Sequence, residues 1–343
     1  MKAMILAGGL STRLYPLTKQ VPKPLVPVVG APNAIHVIRY LKAYGYDEIA
    51  INVFYLPQAI VAALGDGSAF GVRLEYLHEA ELLGSAGAVK QLEAYFGGET
   101  FVVVGCDDLT DLPLDALRAF HAERRAVATI GLVERERVEQ YGVVVTDDVG
   151  KIVGFQEKPA PGTERSRKVN TGIYVFEREI FDAIPSGTFY DFGKDVFPEL
   201  QRADAAFYGF DAPGAYWCDI GTSDEYRRAT RDVLEGRFAI PNTRSHGADP
   251  TASVDSSARV NGDVWIGADA VLEADATVTG PSVLGDRVRI GRGARVEGAI
   301  LWDGASVGAN ASVRETILGI DYHVEDGAVV DGAILANEAA APQ

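Results

Sequence analysis

Cysteine is nearly absent: Cys106 and Cys218 are the only two in 343 residues. Two thiols cannot build a disulfide framework, and they are expected to be reduced thiols of a cytoplasmic protein. No apolar run approaches the roughly 20 residues that cross a bilayer, so no membrane role is expected. The opening Met1-Lys2-Ala3-Met4-Ile5-Leu6 is too short an apolar run for a signal peptide, and Arg13 follows soon after. Positive charge is also in deficit, with 32 Lys and Arg against 48 Asp and Glu. A net charge of −16 excludes nucleic acid and anionic membrane as expected partners. What remains is an ordinary globular composition, 47% hydrophobic and 23% charged, in a chain long enough for two domains.

Against that acidic background the beginning of the chain stands out. Met4 to Ala7 reads as a short buried strand, and Gly8-Gly9 ends it. Glycines placed after a first strand let the backbone turn sharply and bring its N–H groups close to an anion. Leu10-Ser11-Thr12-Arg13 and the proline-flanked Lys23 then add two positive charges, one of them on a stiffened segment. The combination reads as an anion cradle.

Residues 1–240 alternate apolar runs with amphipathic stretches, the pattern of an α/β domain with a mainly parallel sheet. Helices are expected over 35–44, 58–64, 85–95, 114–123, 195–202 and from Thr222 or Ser223 to Leu234. Strands are expected over 48–54, 72–77, 101–104, 126–133 and 170–176. Segments 141–146 and 151–156 flank Asp147-Asp148-Val149-Gly150, a hairpin signal that makes the sheet mixed. Residues 241–250 read as a linker. Beyond it, Val254, Val260, Ile266, Leu272, Val278, Leu284, Ile290 and Val296 recur at every sixth position among small and polar residues. Neither a helix nor an alternating strand has period six; a hexapeptide β-helix does. The phase slips near Trp302 and resumes at Val307 and Val313. The solenoid is expected to occupy 251–335, to drive homo-oligomer formation, and to leave a disordered tail at 336–343.

Two acid-bearing stretches follow the same logic as the opening. Phe101 to Val104 is a wholly apolar strand that runs into Gly105-Cys106-Asp107-Asp108. Ligands of open α/β sheets gather beyond the carboxyl ends of strands, and a carboxylate there can hold Mg²⁺ against phosphate oxygens. Tyr216-Trp217-Cys218-Asp219-Ile220-Gly221 brings a second such acid. Because side chains alternate along a strand, each cysteine is expected to face away from the acid beside it.

The run Gly8-Gly9-Leu10-Ser11-Thr12-Arg13-Leu14-Tyr15-Pro16-Leu17-Thr18, with Pro22-Lys23-Pro24, resembles the signature of the sugar-1-phosphate pyrophosphorylases, roughly G-G-x-G-T-R-L-x-P-L-T…P-K-P. Ser11 stands where that family usually has its third glycine. The resemblance covers essentially the whole chain, and it implies a Rossmann-like catalytic domain followed by a left-handed β-helix. It gives Leu6, Ala7, Gly8, Gly9, Leu10, Ser11 and Thr12 to the nucleotide, and Arg13, Lys23 and Lys158 to catalysis. Asp107 and Asp219 become Mg²⁺ ligands. Glu157, Asn170 and Gly172 fall to the sugar. Leu83-Gly84-Ser85-Ala86-Gly87-Ala88 is similar to the L-G-T-A-G-A run of mannose-1-phosphate guanylyltransferases, which places Gly84 and Ser85, with Glu79 nearby, at the base. The implied substrates are a nucleoside triphosphate and a sugar 1-phosphate, GTP and mannose 1-phosphate first, UTP or dTTP with glucose 1-phosphate second. Two other classes of function bear on these residues. Acyl transfer, common among hexapeptide solenoids, would need a histidine base, and His246 and His323 sit in no recognisable motif. A non-catalytic sugar-nucleotide sensor fits the departures at Ser11 and Cys106, but would have little reason to retain every charged residue of the signature.

Overall fold

The computed structural model describes residues 1–241 and 243–338. The chain packs as two compact units: Met1–Leu10 with Ala34–Asp219, and Ser11–Asn33 with Ile220 onward. The boundary therefore falls inside the signature loop, between Leu10 and Ser11.

Chain order through the first unit is β1 (Lys2–Leu6), α1 (Asn33–Ala43), β2 (Glu48–Val53), α2 (Pro57–Leu64), β3 (Arg73–His78), α3 (Gly84–Gln91), β4 (Phe101–Gly105), β5 (Asp108–Thr110), α4 (Leu114–Arg124), β6 (Ala128–Glu134), β7 (Gly142–Thr146), β8 (Ile152–Glu157), β9 (Lys168–Phe176), α5 (Phe197–Arg202), β10 (Phe207–Asp211) and β11 (Trp217–Asp219). The main sheet runs β8-β7-β9-β4-β1-β2-β3, with β6 on β9 and β10 on β6. β4, β1, β2 and β3 are mutually parallel. β9 is antiparallel to β4, β6 and β7, the expected hairpin forms as β7 and β8, and β10 lies parallel to β6. The sheet is thus mixed. The central strands are those whose sequences are apolar throughout: Ala3, Met4 and Ile5, and Val102 to Val104, are fully buried, as strands covered on both faces must be.

An aromatic stack fills one side of this sheet. The rings of Phe96 and Phe101 are stacked at 3.8 Å, Phe101 and Phe181 at 5.5 Å, and Phe176, Phe192 and Phe197 continue the series. Such pairs contribute roughly 0.5–1.5 kcal/mol each beyond their buried area. His121 of α4 is buried beside this core; its Nδ1 is 2.8 Å from Thr129 Oγ1 and its Nε2 is 3.3 Å from Glu177 Oε1.

The second unit carries three short 3₁₀ turns, Thr12–Leu14, Leu17–Lys19 and Lys23–Leu25. It also holds α6 (Ser223–Leu234), capped by Thr222, whose hydroxyl accepts from the Glu225 amide. The rest is the solenoid, three parallel sheets that make a left-handed hexapeptide β-helix. Strand Gly247–Ala248 opens the first sheet. The period-six aliphatics point inward, and Ile266, Leu272, Val278, Leu284, Ile290 and Val296 are buried. Val254 and Val260, in the first coil, stay about two-fifths exposed because no coil covers them from below. The phase slip has a geometric cause. Ile266 pairs with Leu284, eighteen residues on, whereas Leu284 pairs with Leu301, seventeen on. Each later coil drops one residue at the same corner, between Val296 and Leu301 and again between Val313 and Leu318. Of the tail, residues 339–343 lie outside the described residues, while the carbonyls of Asn337 and Glu338 accept from Gln20 Nε2.

Burial pushes the His121 imidazole below its ordinary value of 6.5, against the opposing pull of Glu177. The folded chain therefore refuses a proton that the unfolded chain takes up. The stability this group supplies is complete above pH 6.5 and is lost as pH falls below it. His121→Gln should cost about 1–2 kcal/mol at pH 8, and the gap to the parent should narrow at pH 5. Thermal denaturation at the two pH values measures both.

Candidate active site

Leu6, at the carboxyl end of β1, pairs with Asn52 of β2 and Gly105 of β4. Around this strand edge a buried polar pair ties the loops together. Asn52 Oδ1 accepts from the Ala7 amide at 2.9 Å, and Asn52 Nδ2 donates to Glu79 Oε2 at 2.7 Å. The other oxygen, Glu79 Oε1, accepts from the Leu83 amide at 3.2 Å. A Cβ added at Gly8 would stand 2.6 Å from Glu79 Oε2, so the loop passes directly over this carboxylate. Glu79 is thus brought to the Gly8 loop, with both oxygens bonded to protein. Asn52 escaped the sequence reading; its only signal is a polar residue inside the apolar stretch Ile49–Val53.

The acids are brought together by a two-stranded ladder. β11 pairs with β5 so that Asp219 lies opposite Asp108 and Trp217 opposite Thr110. Asp108 is buried and its two oxygens are bonded: Oδ1 accepts from Trp217 Nε1 at 2.9 Å and Oδ2 from the Gly105 amide at 3.0 Å. Asp108 is therefore a structural clamp, and Asp107 and Asp219 are left half-buried at the strand ends. Cys106 and Cys218 are both buried, while Asp107 and Asp219 beside them are half-buried. Arg135 stacks over Trp217 at 5.2 Å and donates to its carbonyl, fixing the same strand from outside.

On the sugar side, β9 bulges. Its register against β6 shifts between Asn170 and Tyr174. Gly172 takes φ +80 there, with its amide donating to Asn170 Oδ1 at 2.9 Å. Only glycine adopts this turn at low cost, and an added Cβ would also come within 3.3 Å of Asp108 Oδ2. Asn170 Nδ2 donates to Tyr174 Oη at 3.1 Å. Lys158 leaves β8 in a left-handed conformation, φ +47, and its Nζ lies 3.8 Å from Glu157 Oε1. An L-residue held there stores backbone strain of the kind found at ligand clamps. Burial raises the Glu157 carboxyl above its ordinary range; Lys158 opposes the rise and Asp191 adds to it.

The small residues opening α3 serve close packing. The Tyr190 carbonyl accepts from the Ala86 and Gly87 amides, at 3.0 and 3.1 Å. At Gly84, φ +73, a Cβ would meet that same carbonyl oxygen at 2.5 Å. Ser85 Oγ donates to Asp191 Oδ2 and accepts from the Phe192 amide, both at 3.0 Å. The hydroxyl at the expected base position is therefore a lock on the Asp191 segment. A groove of about 520 Å³ lined by Leu132 to Arg135 and Asp211 to Ala215 contains none of the expected site residues.

The remaining signature residues belong to the second unit. Ser11 takes the left-handed conformation for which a glycine is suited, φ 53 and ψ 40, and its carbonyl accepts from Thr18 Oγ1 at 2.7 Å. Its hydroxyl oxygen is buried without a hydrogen-bond partner among the described residues. Thr12 and Arg13 are exposed. Lys23 opens the 3₁₀ turn closed by Leu25 N–H to the Pro22 carbonyl at 2.8 Å, and it is half-buried. His323 is exposed on the solenoid, and its Nδ1 lies 2.8 Å from Ser306 Oγ.

Asp107 and Asp219 fit a hard cation. They are two oxygen donors at adjoining strand ends, and Mg²⁺ takes one or two carboxylates plus substrate phosphates. Among the described residues no group of three or more metal-ligating side chains occurs, so substrate oxygens would complete any shell.

The division of labour between neighbouring acids is testable. Asp108→Asn should cost about 2 kcal/mol or more, because both its oxygens accept hydrogen bonds. Asp107→Asn, at a half-buried position, should cost less than Asp108→Asn. Urea denaturation compares the two. Carbon-13 titration of the Glu157 carboxyl should show a midpoint above that of an ordinary glutamate, and Lys158→Ala, which removes the opposing cation, should move it further up.

Comparison with known proteins bears on the whole chain. Residues 2–236 match the nucleotidyl transferase family and residues 244–335 the GMPPB C-terminal domain. A UTP–glucose-1-phosphate uridylyltransferase of Synechocystis is 37% identical, over 96% of this chain and 90% of that protein. A mannose-1-phosphate guanylyltransferase of Mycobacterium tuberculosis is 32% identical, over 91% and 82%. One from Arabidopsis thaliana is 31% identical, over 98% and 95%. Among solved structures, a Bacillus anthracis protein assigned as a glucose-1-phosphate thymidylyltransferase superposes with TM-score 0.61 at 27% identity, covering 67% of this chain and 94% of that one. The chain belongs to the nucleotidyl transferase family and is a sugar-1-phosphate nucleotidyltransferase with a β-helical C-terminal domain.

Proposed function

We propose that this enzyme joins GTP and mannose 1-phosphate to give GDP-mannose and pyrophosphate. The observation that carries the reaction is the placing of Asp107 and Asp219 at adjoining strand ends, with Asp108 withdrawn into the fold. The choice of substrates is supported by the similarity of Leu83–Ala88 to guanylyltransferases and by the several guanylyltransferases among the relatives. The second reading, UTP with glucose 1-phosphate, is favoured by the 37% identical uridylyltransferase.

A phosphate oxygen of the sugar 1-phosphate attacks the α-phosphorus, the bond to the β-phosphate oxygen breaks, and pyrophosphate leaves. The attacking oxygen is already ionised at neutral pH, so no general base is required. Catalysis consists of positioning and charge neutralisation. Asp107 and Asp219 are the residues that would hold Mg²⁺, which when bound supplies charge neutralisation at the phosphates. Backbone amides of Leu10 to Thr12 bind the triphosphate, Arg13 neutralises the leaving pyrophosphate, and Lys23 and Lys158 orient the sugar phosphate. Glu157, with Asn170 and Gly172 in the bulge, receives the sugar hydroxyls. The roles of Arg13 and Lys23 rest on the sequence signature. Residues 1–240 form the catalytic domain in this reading, and the solenoid makes a cytoplasmic homo-oligomer, which light scattering checks; a mass of 36.7 kDa would overturn it.

The decisive assay is pyrophosphate release with Mg²⁺, crossing GTP, UTP, dTTP, ATP and CTP with mannose 1-phosphate and glucose 1-phosphate. GTP with mannose 1-phosphate is expected to win; a preference for UTP with glucose 1-phosphate selects the second reading. Asp107→Asn should slow the preferred reaction by about 100-fold or more. An unchanged rate would remove Asp107 from the metal.

A further inference from the structure

The segment that follows Lys23 is bonded, at Pro27, to a residue far along the chain. Tyr226 of α6 is buried, and its hydroxyl makes two bonds. It accepts from Trp302 Nε1 at 2.9 Å and donates to the Pro27 carbonyl at 2.6 Å. The direction is fixed, because an indole N–H only donates and a proline carbonyl only accepts. Trp302 belongs to the solenoid, is 2% exposed, and meets the Tyr226 ring edge-on at 6.4 Å. Pro27 follows the Lys23–Leu25 turn, separated from it by Val26. The Val26 amide donates to the Lys23 carbonyl and the Val26 carbonyl accepts from Asn33.

Two further contacts hold the same segment. A Cβ on Gly30, at the turn between Pro27–Val28 and Ala31–Pro32, would fall 2.4 Å from the Trp265 ring. Leu17 Cδ2 lies against Gly319 of a late coil. A helix packed on a solenoid needs only apolar contacts for adhesion. A buried hydroxyl and indole N–H that must be satisfied add direction, and here the direction ends on the lysine-bearing segment.

We propose that Trp302 and Tyr226 are positioning residues for Lys23, the bond chain from Trp302 N–H through Tyr226 O–H to the Pro27 carbonyl setting where its turn sits. The solenoid thereby becomes part of the phosphate-binding apparatus in addition to any role in assembly. The proposal rests on the reading of Lys23 as a substrate-phosphate ligand.

The test is a double-mutant cycle in the full-length enzyme. Tyr226→Phe removes the hydroxyl and keeps the ring. It should lower kcat/KM for pyrophosphate release about tenfold in the parent and in Lys158→Ala, and less than twofold in Lys23→Ala. Calorimetric Kd values for the sugar-nucleotide product form the same cycle without depending on turnover. Equal losses in the parent and in Lys23→Ala would make Tyr226 a packing residue and overturn the proposal. If Lys23→Ala alone left both readouts unchanged, the reading of Lys23 would fall as well, which separates the two failures. Trp302→Phe breaks the chain at its other end. It should produce a smaller loss with the same dependence on Lys23, and it decides the matter should Tyr226→Phe not fold.

Discussion

The buried carboxylate of Asp108 is the constraint on which the catalytic edge depends. Its two oxygens are bonded to the last amide of β4 and to the indole of β11, so two strands far apart in sequence end side by side. The clamp reinforces the ladder that sets Asp219 opposite Asp108, next to Asp107 in sequence. A buried carboxylate left without these donors would cost several kcal/mol, so the geometry is over-determined. The bulge at Asn170–Gly172 closes over the same carboxylate, where only the missing side chain of Gly172 leaves room.

Much of this was legible from residue order. The apolar runs at 3–5 and 101–104 announced central strands because strands covered on both faces have no polar positions. The Asp147–Gly150 turn announced the hairpin. Period six announced the solenoid even through its phase slip, because a coil that sheds a residue at one corner still returns aliphatics to the same three faces. The candidate acids were legible because they ended apolar strands.

What the sequence could not convey is which polar atoms the fold uses up. Asp107 and Asp108 are identical in type and adjacent, yet Asp108 is buried against an indole that lies 109 residues on, while Asp107 is half-buried. Ser85 looked like a base-binding hydroxyl and is committed to Asp191 and Phe192. Glu79 looked like a nucleotide contact and is shared between Asn52 and the Leu83 amide. Each outcome depends on a partner distant in the chain, and no local pattern encodes it. The grouping of Ser11–Asn33 with α6 and the solenoid is invisible for the same reason: Tyr226 and Trp302 carry no motif.

The polar atoms therefore divide into those that build the site and those that meet ligand, and the division has a consequence for how specificity is set. The committed ones, Asn52, Glu79, Ser85, Asp108 and Asp191, hold backbone amides or one another. They fix where the Gly8 and Leu83 loops pass. A frame of that kind serves several bases and sugars by small loop shifts, because changing a nucleotide does not require replacing a charged ligand. That accounts for guanylyl-, uridylyl- and thymidylyltransferases all appearing among proteins similar to this one. In this chain the segment that carries Lys23 is bonded through the Pro27 carbonyl to Tyr226 of α6, and Tyr226 in turn to Trp302 of the solenoid.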